Sequence, residues 1–96
     1  MSADSVTQIA GLEPTYSARE AAALLGRSYS WLDQRVRSGD FVLPGGTVVQ
    51  PLRTPGGYRR FTLETLKDIV ISSYNNGWFS MNKLRSTFNE LAMAAT

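Results

Sequence analysis

The chain has 96 residues, of which 43% are apolar and 19% charged, a composition typical of a single globular domain. It contains no cysteine and no histidine, which excludes disulfides, thiol chemistry and the usual zinc ligands. The net charge is only +2, but residues 15–61 carry seven arginines against three carboxylates. Arginine offers a planar set of donors that suits phosphates and guanine edges, although a solvated basic face is the competing interpretation.

The first part of the chain, residues 1–14, is polar and without periodicity, and predicts a flexible lead-in. It has neither the basic start nor the apolar stretch of a secretion signal. No apolar run approaches the roughly 20 residues that a membrane-spanning helix needs. We therefore expect a cytoplasmic protein without a membrane partner.

Two short helices joined by a tight turn are predicted next. Ser17 and Glu20 have the spacing of a capping box at the start of the first helix, and Gly26 ends it. Ser28 caps the second helix and Gly39 ends it. This pattern is typical of helix-turn-helix DNA-binding proteins, but any helical hairpin in a small core produces the same spacing.

Two hairpins are predicted after these helices. β-branched and aromatic residues flank a Pro-Gly-Gly turn at 44–46, so the stretch Phe41–Pro51 predicts a short hairpin. A second hairpin, or wing, is predicted from Arg53 to Phe61, around another Pro-Gly-Gly tip. Its arginines are expected to point outward. Its expected anchors on the body of the domain are Leu52, Tyr58 and Phe61.

The wing has the chemistry of a nucleic-acid contact. Its tip lacks bulky side chains, so the backbone can approach another surface closely. Exposed cations and hydroxyls around such a tip suit a phosphate backbone or a minor groove. The alternative is a structural hairpin whose arginines pair with Asp33, Asp40 or Glu64. The wing residues expected to contact DNA are Arg53, Thr54, Gly56, Gly57, Tyr58, Arg59 and Arg60.

Two longer helices complete the prediction. Thr62 caps the third helix, and an Asn-Asn-Gly sequence at 75–77 ends it. Ser80 caps the fourth helix, and residues 92–96 are expected to form a frayed tail. The apolar residues expected on the inner faces are Leu63, Leu66, Ile69, Val70 and Tyr74 in the third helix, and Leu84, Phe88 and Leu91 in the fourth.

The sequence Arg-Thr-Pro-Gly-Gly-Tyr-Arg-Arg-Phe at 53–61, placed after two short helices, resembles the wing of the MerR family. It is most similar to the minimal BldC-like regulators and phage excisionases. Gly-Trp-Phe-Ser-Met at 77–81 resembles that family's entry into its fourth helix, so the resemblance covers residues 15–91. It implies a mostly α winged helix-turn-helix of about four helices with one or two short hairpins. The stretch Phe41–Pro51 is longer than the family's usual link.

The resemblance implies a sequence-specific double-stranded DNA-binding protein of bacterial or phage type, either a transcription regulator or an excisionase-like recombination directionality factor. It implies no cofactor, no metal and no catalytic residue. The implied partners are DNA, a second copy of the chain (head-to-tail on DNA or as a dimer), and an integrase or another protein. Gln34 is expected to read adenine and Arg35 guanine, while Trp31 is expected to be partly buried. The second-helix residues expected to contact DNA are Ser28, Tyr29, Ser30, Gln34, Arg35 and Arg37.

A protein-interaction module is the alternative from another functional class, for example a small phage inhibitor of a host factor that reuses this fold. The apolar side chains of the fourth helix would form its interface, unless they simply complete the core. An enzyme is the least favoured interpretation, because histidine and cysteine are absent and the carboxylates are scattered. The interface residues would be Met81, Leu84, Phe88, Leu91 and Met93.

Overall fold

The computed structural model describes residues 14–95, which form four helices and a three-stranded antiparallel sheet. This confirms the predicted mostly helical class with a small β element. The predicted lead-in lies outside the described residues, except for Pro14. No helix within residues 14–95 is long and apolar enough to cross a bilayer. In chain order the elements are β1 (Thr15–Tyr16), α1 (Ala18–Leu25), α2 (Tyr29–Ser38), β2 (Leu52–Arg53), β3 (Arg59–Thr62), α3 (Leu63–Asn75) and α4 (Met81–Ala94).

The helices begin and end where their capping residues predict. The Ser17 hydroxyl accepts from the Glu20 amide at 3.1 Å, and the Ser17 amide donates to the Glu20 carboxylate at 2.8 Å. That backbone donation lowers the pKa of Glu20. Gly26 and Gly39 end α1 and α2 in the left-handed conformation, with φ of 70° and 67°. The other predicted N-caps also accept from a backbone amide in the first turn, namely Ser28, Thr62 and Ser80.

The core lies around α1, which packs against the other three helices and against β1 and β3. Three of the predicted inner residues of α3 are completely buried, but Tyr74 is 38% exposed near its end. Leu91 of α4 is buried, and Leu84 and Phe88 are half-buried against the core, as predicted. The prediction of a frayed tail from residue 92 is wrong for Ala92–Ala94, because α4 continues through them.

The strand β3 is the centre of the sheet, with β1 on one side and β2 on the other. Tyr16 pairs with Phe61, and Arg53 pairs with Arg59. Two residues are too few to show an alternating pattern, which is why β1 was not predicted. Phe61 is completely buried, so this end of β3 is fixed to the core.

The stretch between α2 and β2 is a short hairpin, as predicted, with one antiparallel bridge from Val42 to Val48. The Leu43 amide donates to the Thr47 carbonyl at 2.9 Å, and the Val49 amide donates to the Phe41 carbonyl at 2.8 Å. Phe41 and Val49 fix it to the core, because both are buried. The Val42 amide also donates to the hydroxyl of Ser72 on α3 at 3.0 Å. Buried side chains and a hydrogen bond to α3 thus anchor this short hairpin to the body of the domain.

Aromatic rings fill the side of α2 that faces the segment between α3 and α4. The Trp31 ring lies 5.7 Å from that of Phe41 and 6.1 Å from those of Trp78 and Phe79, measured between centroids. The guanidinium of Arg27 lies 5.0 Å from the Phe79 ring centroid and donates to the Trp78 carbonyl at 2.9 Å. Trp31 is half-buried in this cluster, so its predicted partial burial is confirmed.

Candidate nucleic-acid interface

One side of α2 is free of the core. Leu32 and Val36 pack the helix against α1 and are buried. At about 3.6 residues per turn, the residues on the opposite side of α2 turn toward solvent. We call these residues the exposed face of α2. They are Tyr29, Ser30, Gln34 and Arg37, which are exposed, and Asp33, which is half-buried.

A groove of about 510 Å³ lies between the exposed face of α2, the start of α1 and the hairpin formed by β2 and β3. We call it the basic groove, and we call residues 52–62 the basic hairpin. Among the residues that the structure describes, five arginines and a single carboxylate line this groove. The charged lining residues are Arg19, Asp33, Arg37, Arg53, Arg59 and Arg60.

Aromatic side chains stand on both sides of the basic groove. The guanidinium of Arg19, at the start of α1, lies 4.6 Å from the centroid of the Tyr29 ring. This stacking holds both side chains at the groove wall. On the opposite wall Tyr58 is 75% exposed. Arg19 was not predicted as a site residue, because only the packing of α1 against α2 brings it beside Tyr29.

The tip of the basic hairpin is a tight turn. The Thr54 amide donates to the Tyr58 carbonyl at 2.9 Å, and the Gly57 amide donates to the Thr54 carbonyl at 2.8 Å. The Thr54 hydroxyl accepts from the Tyr58 amide at 3.2 Å, so it is engaged within the turn. Gly57 has a φ of 85°, and a Cβ placed there would meet no atom of the described residues within 4 Å. The tip is therefore open at Gly57, whereas a Cβ at Gly56 would lie 3.3 Å from the Tyr58 ring.

Two of the three predicted hairpin anchors are wrong. Leu52 is 55% exposed and Tyr58 is 75% exposed, whereas Phe61 is buried as predicted. β2 is an edge strand of two residues, and both of them are exposed. Phe61 lies on the central strand, where β1 and the core cover it. The hairpin is therefore held at the base of β3 and not along its length.

The three hairpin arginines do not all point outward, contrary to the prediction. Arg53 is exposed, and its guanidinium donates to the Gly57 carbonyl at 3.2 Å. Arg59 is half-buried and donates to Asp33 at 2.6 Å. Arg60 is also half-buried and donates to the hydroxyl and the carbonyl of Thr15, at 3.1 and 3.0 Å. Neighbouring strand residues point to opposite faces, so Arg59 and Arg60 cannot share one outward direction.

Arg35 does not belong to the exposed face of α2, although it was expected to contact a base. It lies on the side of the helix that carries the aromatic cluster. Its guanidinium lies 4.6 Å from the centroid of a Trp78 ring and donates to Asp40 at 3.1 Å. Ser28 is likewise engaged, since its hydroxyl accepts from the Trp31 amide at 3.1 Å. The predicted residues Ser30 and Gln34 are exposed.

Asp33 lines the basic groove and was expected only as a partner for a hairpin arginine. Its two carboxylate oxygens contact Arg59 at 2.6 Å and Arg37 at 2.9 Å. The pairing alternative is therefore confirmed for Arg59. The Arg59 hydrogen bond, with a smaller contribution from Arg37, lowers the pKa of Asp33. No group of three or more acidic side chains within residues 14–95 is placed to hold a metal ion.

A second groove, of about 390 Å³, lies between α3 and α4, and its walls are mainly apolar. Phe88 and Leu91 belong to its lining, with Lys67 as the charged residue. Met81 and Met93, which were also expected in an interface on the last helix, are 43% and 70% exposed. They do not line this groove. The groove therefore includes two of the five residues predicted for a protein interface.

Comparison with known proteins identifies a family without assigning a function. No curated protein matches the chain, and no solved structure matches it. One family model, described as a domain of unknown function (DUF7229), matches residues 6–94, which is nearly the whole chain. The chain belongs to this family, DUF7229.

Proposed function

We propose that this protein binds double-stranded DNA as a winged helix-turn-helix, with α2 in the major groove and the basic hairpin as the wing. The observation that carries the proposal is the basic groove, where four arginines stand beside the exposed face of α2 and a fifth, Arg37, belongs to that face. A major groove about 12 Å wide admits one helix, and phosphates line both of its edges. A helix bordered by arginines matches that arrangement of base edges and negative charge.

The exposed face of α2 supplies suitable groups for reading bases. Gln34 is exposed at the middle of the helix, and a glutamine amide pairs with the donor and acceptor of adenine. Ser30 lies one turn earlier on the same face, and its hydroxyl can donate or accept. The side chain of Arg37 is 71% exposed at the end of this face. We assign base reading to Ser30 and Gln34, and phosphate contact to Arg37.

The basic hairpin supplies the backbone contacts. Arg53 and Tyr58 are exposed beside a tip that carries no obstructing side chain at Gly57. They would bind phosphates, or enter the adjacent minor groove. Such contacts would set the register of α2 on the duplex but would not discriminate between base sequences. Arg59 and Arg60 are tied to Asp33 and Thr15, so they add positive potential and hold the hairpin in position.

The biological role that we propose follows from the resemblance to the MerR family. The protein would act at a promoter as a transcription regulator, or at an attachment site as an excisionase-like directionality factor beside an integrase. Copies arranged head-to-tail or as a dimer would fit either role, in the cytoplasm and on the nucleoid. Footprints that overlap promoters would support the regulator, and repeated footprints beside an integrase core site would support the excisionase.

Replacing Arg53 with alanine tests the role of the wing. We expect Arg53→Ala to weaken binding to duplexes of every sequence, because a phosphate contact carries no sequence information. The slope of log K against log salt should become shallower by about one unit, because one phosphate is no longer neutralised. Fluorescence anisotropy of a labelled duplex across a potassium chloride series measures both quantities.

Lys67→Ala is the matched control, because it also removes one positive charge but lies at the second groove. We expect Lys67→Ala to leave the salt slope unchanged. Equal decreases in affinity for the two variants would show that only net charge matters, and would refute the wing assignment.

The second groove favours a different function, binding of a protein through α3 and α4. Its apolar walls include Phe88 and Leu91. This alternative becomes the leading proposal if the unmodified protein shows no salt-dependent binding to any duplex.

A further inference from the structure

A negative charge lines the basic groove, whose other charged lining residues among those described are all arginines. Asp33 is the one carboxylate among the described residues that line the basic groove. Its side chain is 19% exposed, so it is reachable from the groove without being freely solvated. A phosphate that enters the groove therefore meets a like charge as well as the arginines.

Asp33 also occupies two of those arginines. Arg59 Nη1 lies 2.6 Å from one carboxylate oxygen, and Arg37 Nε lies 2.9 Å from the other. Arg59 Nε is buried and has no acceptor among the described residues, so this guanidinium keeps an unused donor. Without the carboxylate, both arginines would have donors available for phosphate oxygens.

The Arg59 contact joins two parts of the proposed interface. Asp33 belongs to α2 and Arg59 to β3, so the ion pair fixes the basic hairpin against the helix. The Arg59 side chain is only 13% exposed, which limits its movement. The distance between wing and helix is thus set before any ligand binds.

We propose that Asp33 is a specificity-determining residue that suppresses binding to DNA of arbitrary sequence. This inference rests on the proposed function. The carboxylate repels phosphates and pairs with Arg37 and Arg59 in the unbound protein. A phosphate must therefore compete with Asp33 for Arg37, so that binding through charge alone is weakened. Hydrogen bonds from Ser30 and Gln34 to suitable base edges offset this cost in free energy. A duplex of random sequence does not provide these base edges.

The test compares Asp33→Asn with the unmodified protein on a labelled pool of duplexes with about 20 randomised base pairs, enough for about two helical turns. Asparagine keeps the shape and an acceptor for Arg59 but loses the charge, so the fold should persist. We expect Asp33→Asn to bind the unselected pool about three- to tenfold more tightly, with a salt slope about one unit steeper. Repeated selection should enrich a defined sequence less strongly with this variant than with the unmodified protein.

Two further variants complete the experiment. Asp40→Asn removes the same charge at the Arg35 pair, which does not line the basic groove, so it should bind the pool like the unmodified protein. Asp33→Ser removes the charge with a smaller side chain and should behave like Asp33→Asn, which guards against a folding defect in one variant. Thermal melting of each variant checks the fold.

The outcomes separate the two proposals. If the unmodified protein binds in a salt-dependent way but the neutral Asp33 variants bind the pool no more tightly, the specificity role is refuted and DNA binding stands. If Asp40→Asn gains as much affinity as Asp33→Asn, the effect is one of net charge and the specificity role is again refuted. If the unmodified protein itself binds no duplex, both proposals are refuted.

Discussion

Two neighbouring serines on α3 show that the contribution of a buried hydroxyl to stability depends on its hydrogen-bond partners. Ser72 and Ser73 are both completely buried. The Ser72 hydroxyl accepts from the Val42 amide at 3.0 Å and so holds the stretch between α2 and β2. The Ser73 hydroxyl has no hydrogen-bond partner among the described residues. A buried polar group is stabilising only where it is paired.

Alanine at each position tests this difference. We expect Ser72→Ala to lower the free energy of unfolding by about 1–3 kcal/mol, because it leaves the Val42 amide without an acceptor. Ser73→Ala, the matched control, removes an unpaired hydroxyl from an equally buried site and should be neutral or slightly stabilising. Urea denaturation followed by circular dichroism gives both values. A larger decrease for Ser73→Ala than for Ser72→Ala would contradict this assignment.

At the scale of elements, the ion pair between Asp33 and Arg59 connects α2 to β3, and it should make stability depend on pH. The pKa of Asp33 is lower in the folded protein, mainly because Arg59 donates to it. A lowered carboxyl pKa contributes stability above the unfolded value of about 3.9, and this contribution is lost as pH falls through the folded pKa. Melting temperatures between about pH 5 and pH 2 should therefore fall, and less steeply for Asp33→Asn.

Glu20 contributes to the dependence that remains in that variant. Its pKa is also lowered, by the Ser17 amide of the capping box, so its contribution disappears in the same direction. If Asp33→Asn and the unmodified protein lose stability in parallel as the pH falls, the ion pair does not connect the two elements in solution.

The helices were predictable from the sequence because their signals are local. The hydroxyl of Ser17 and the left-handed conformation of Gly26 act within one turn of their own helix. Contacts between distant segments were not predictable in this way. Arg60 bonds to Thr15, 45 residues earlier, and no periodicity relates the two. The exposure of Leu52 depends on β2 being an edge strand, which is a property of the sheet.

The same division holds for the candidate site. The presence of a basic hairpin and most of the exposed positions of α2 were predicted from the sequence. Arg35 was misplaced because its direction depends on Trp78 and Asp40, which are brought beside it only by the fold. Arg19 and Asp33 were not predicted as site residues because their neighbours come from other elements. The sequence therefore identifies a short basic hairpin by its motif, but it does not identify the residues with which the hairpin arginines pair.

At the scale of the whole molecule, two surfaces compete for a partner. The basic groove and the exposed face of α2 form the proposed DNA interface, and the apolar groove between α3 and α4 forms the other candidate surface. Within residues 14–95 the two grooves share no lining residue, so the residues that a bound partner affects show which groove it occupies. DNA and protein ligands can thus be distinguished on the same molecule.

The most direct test of DNA binding through the basic groove is an NMR titration of ¹⁵N-labelled protein with a short duplex from the selected pool. We predict that amide shifts concentrate in the exposed face of α2 and in the tip of the basic hairpin, residues 53–58. They should weaken as salt is added. Amides around Phe88 and Leu91 should remain unchanged. Shifts confined to α3 and α4, or none at any salt concentration, would contradict the account.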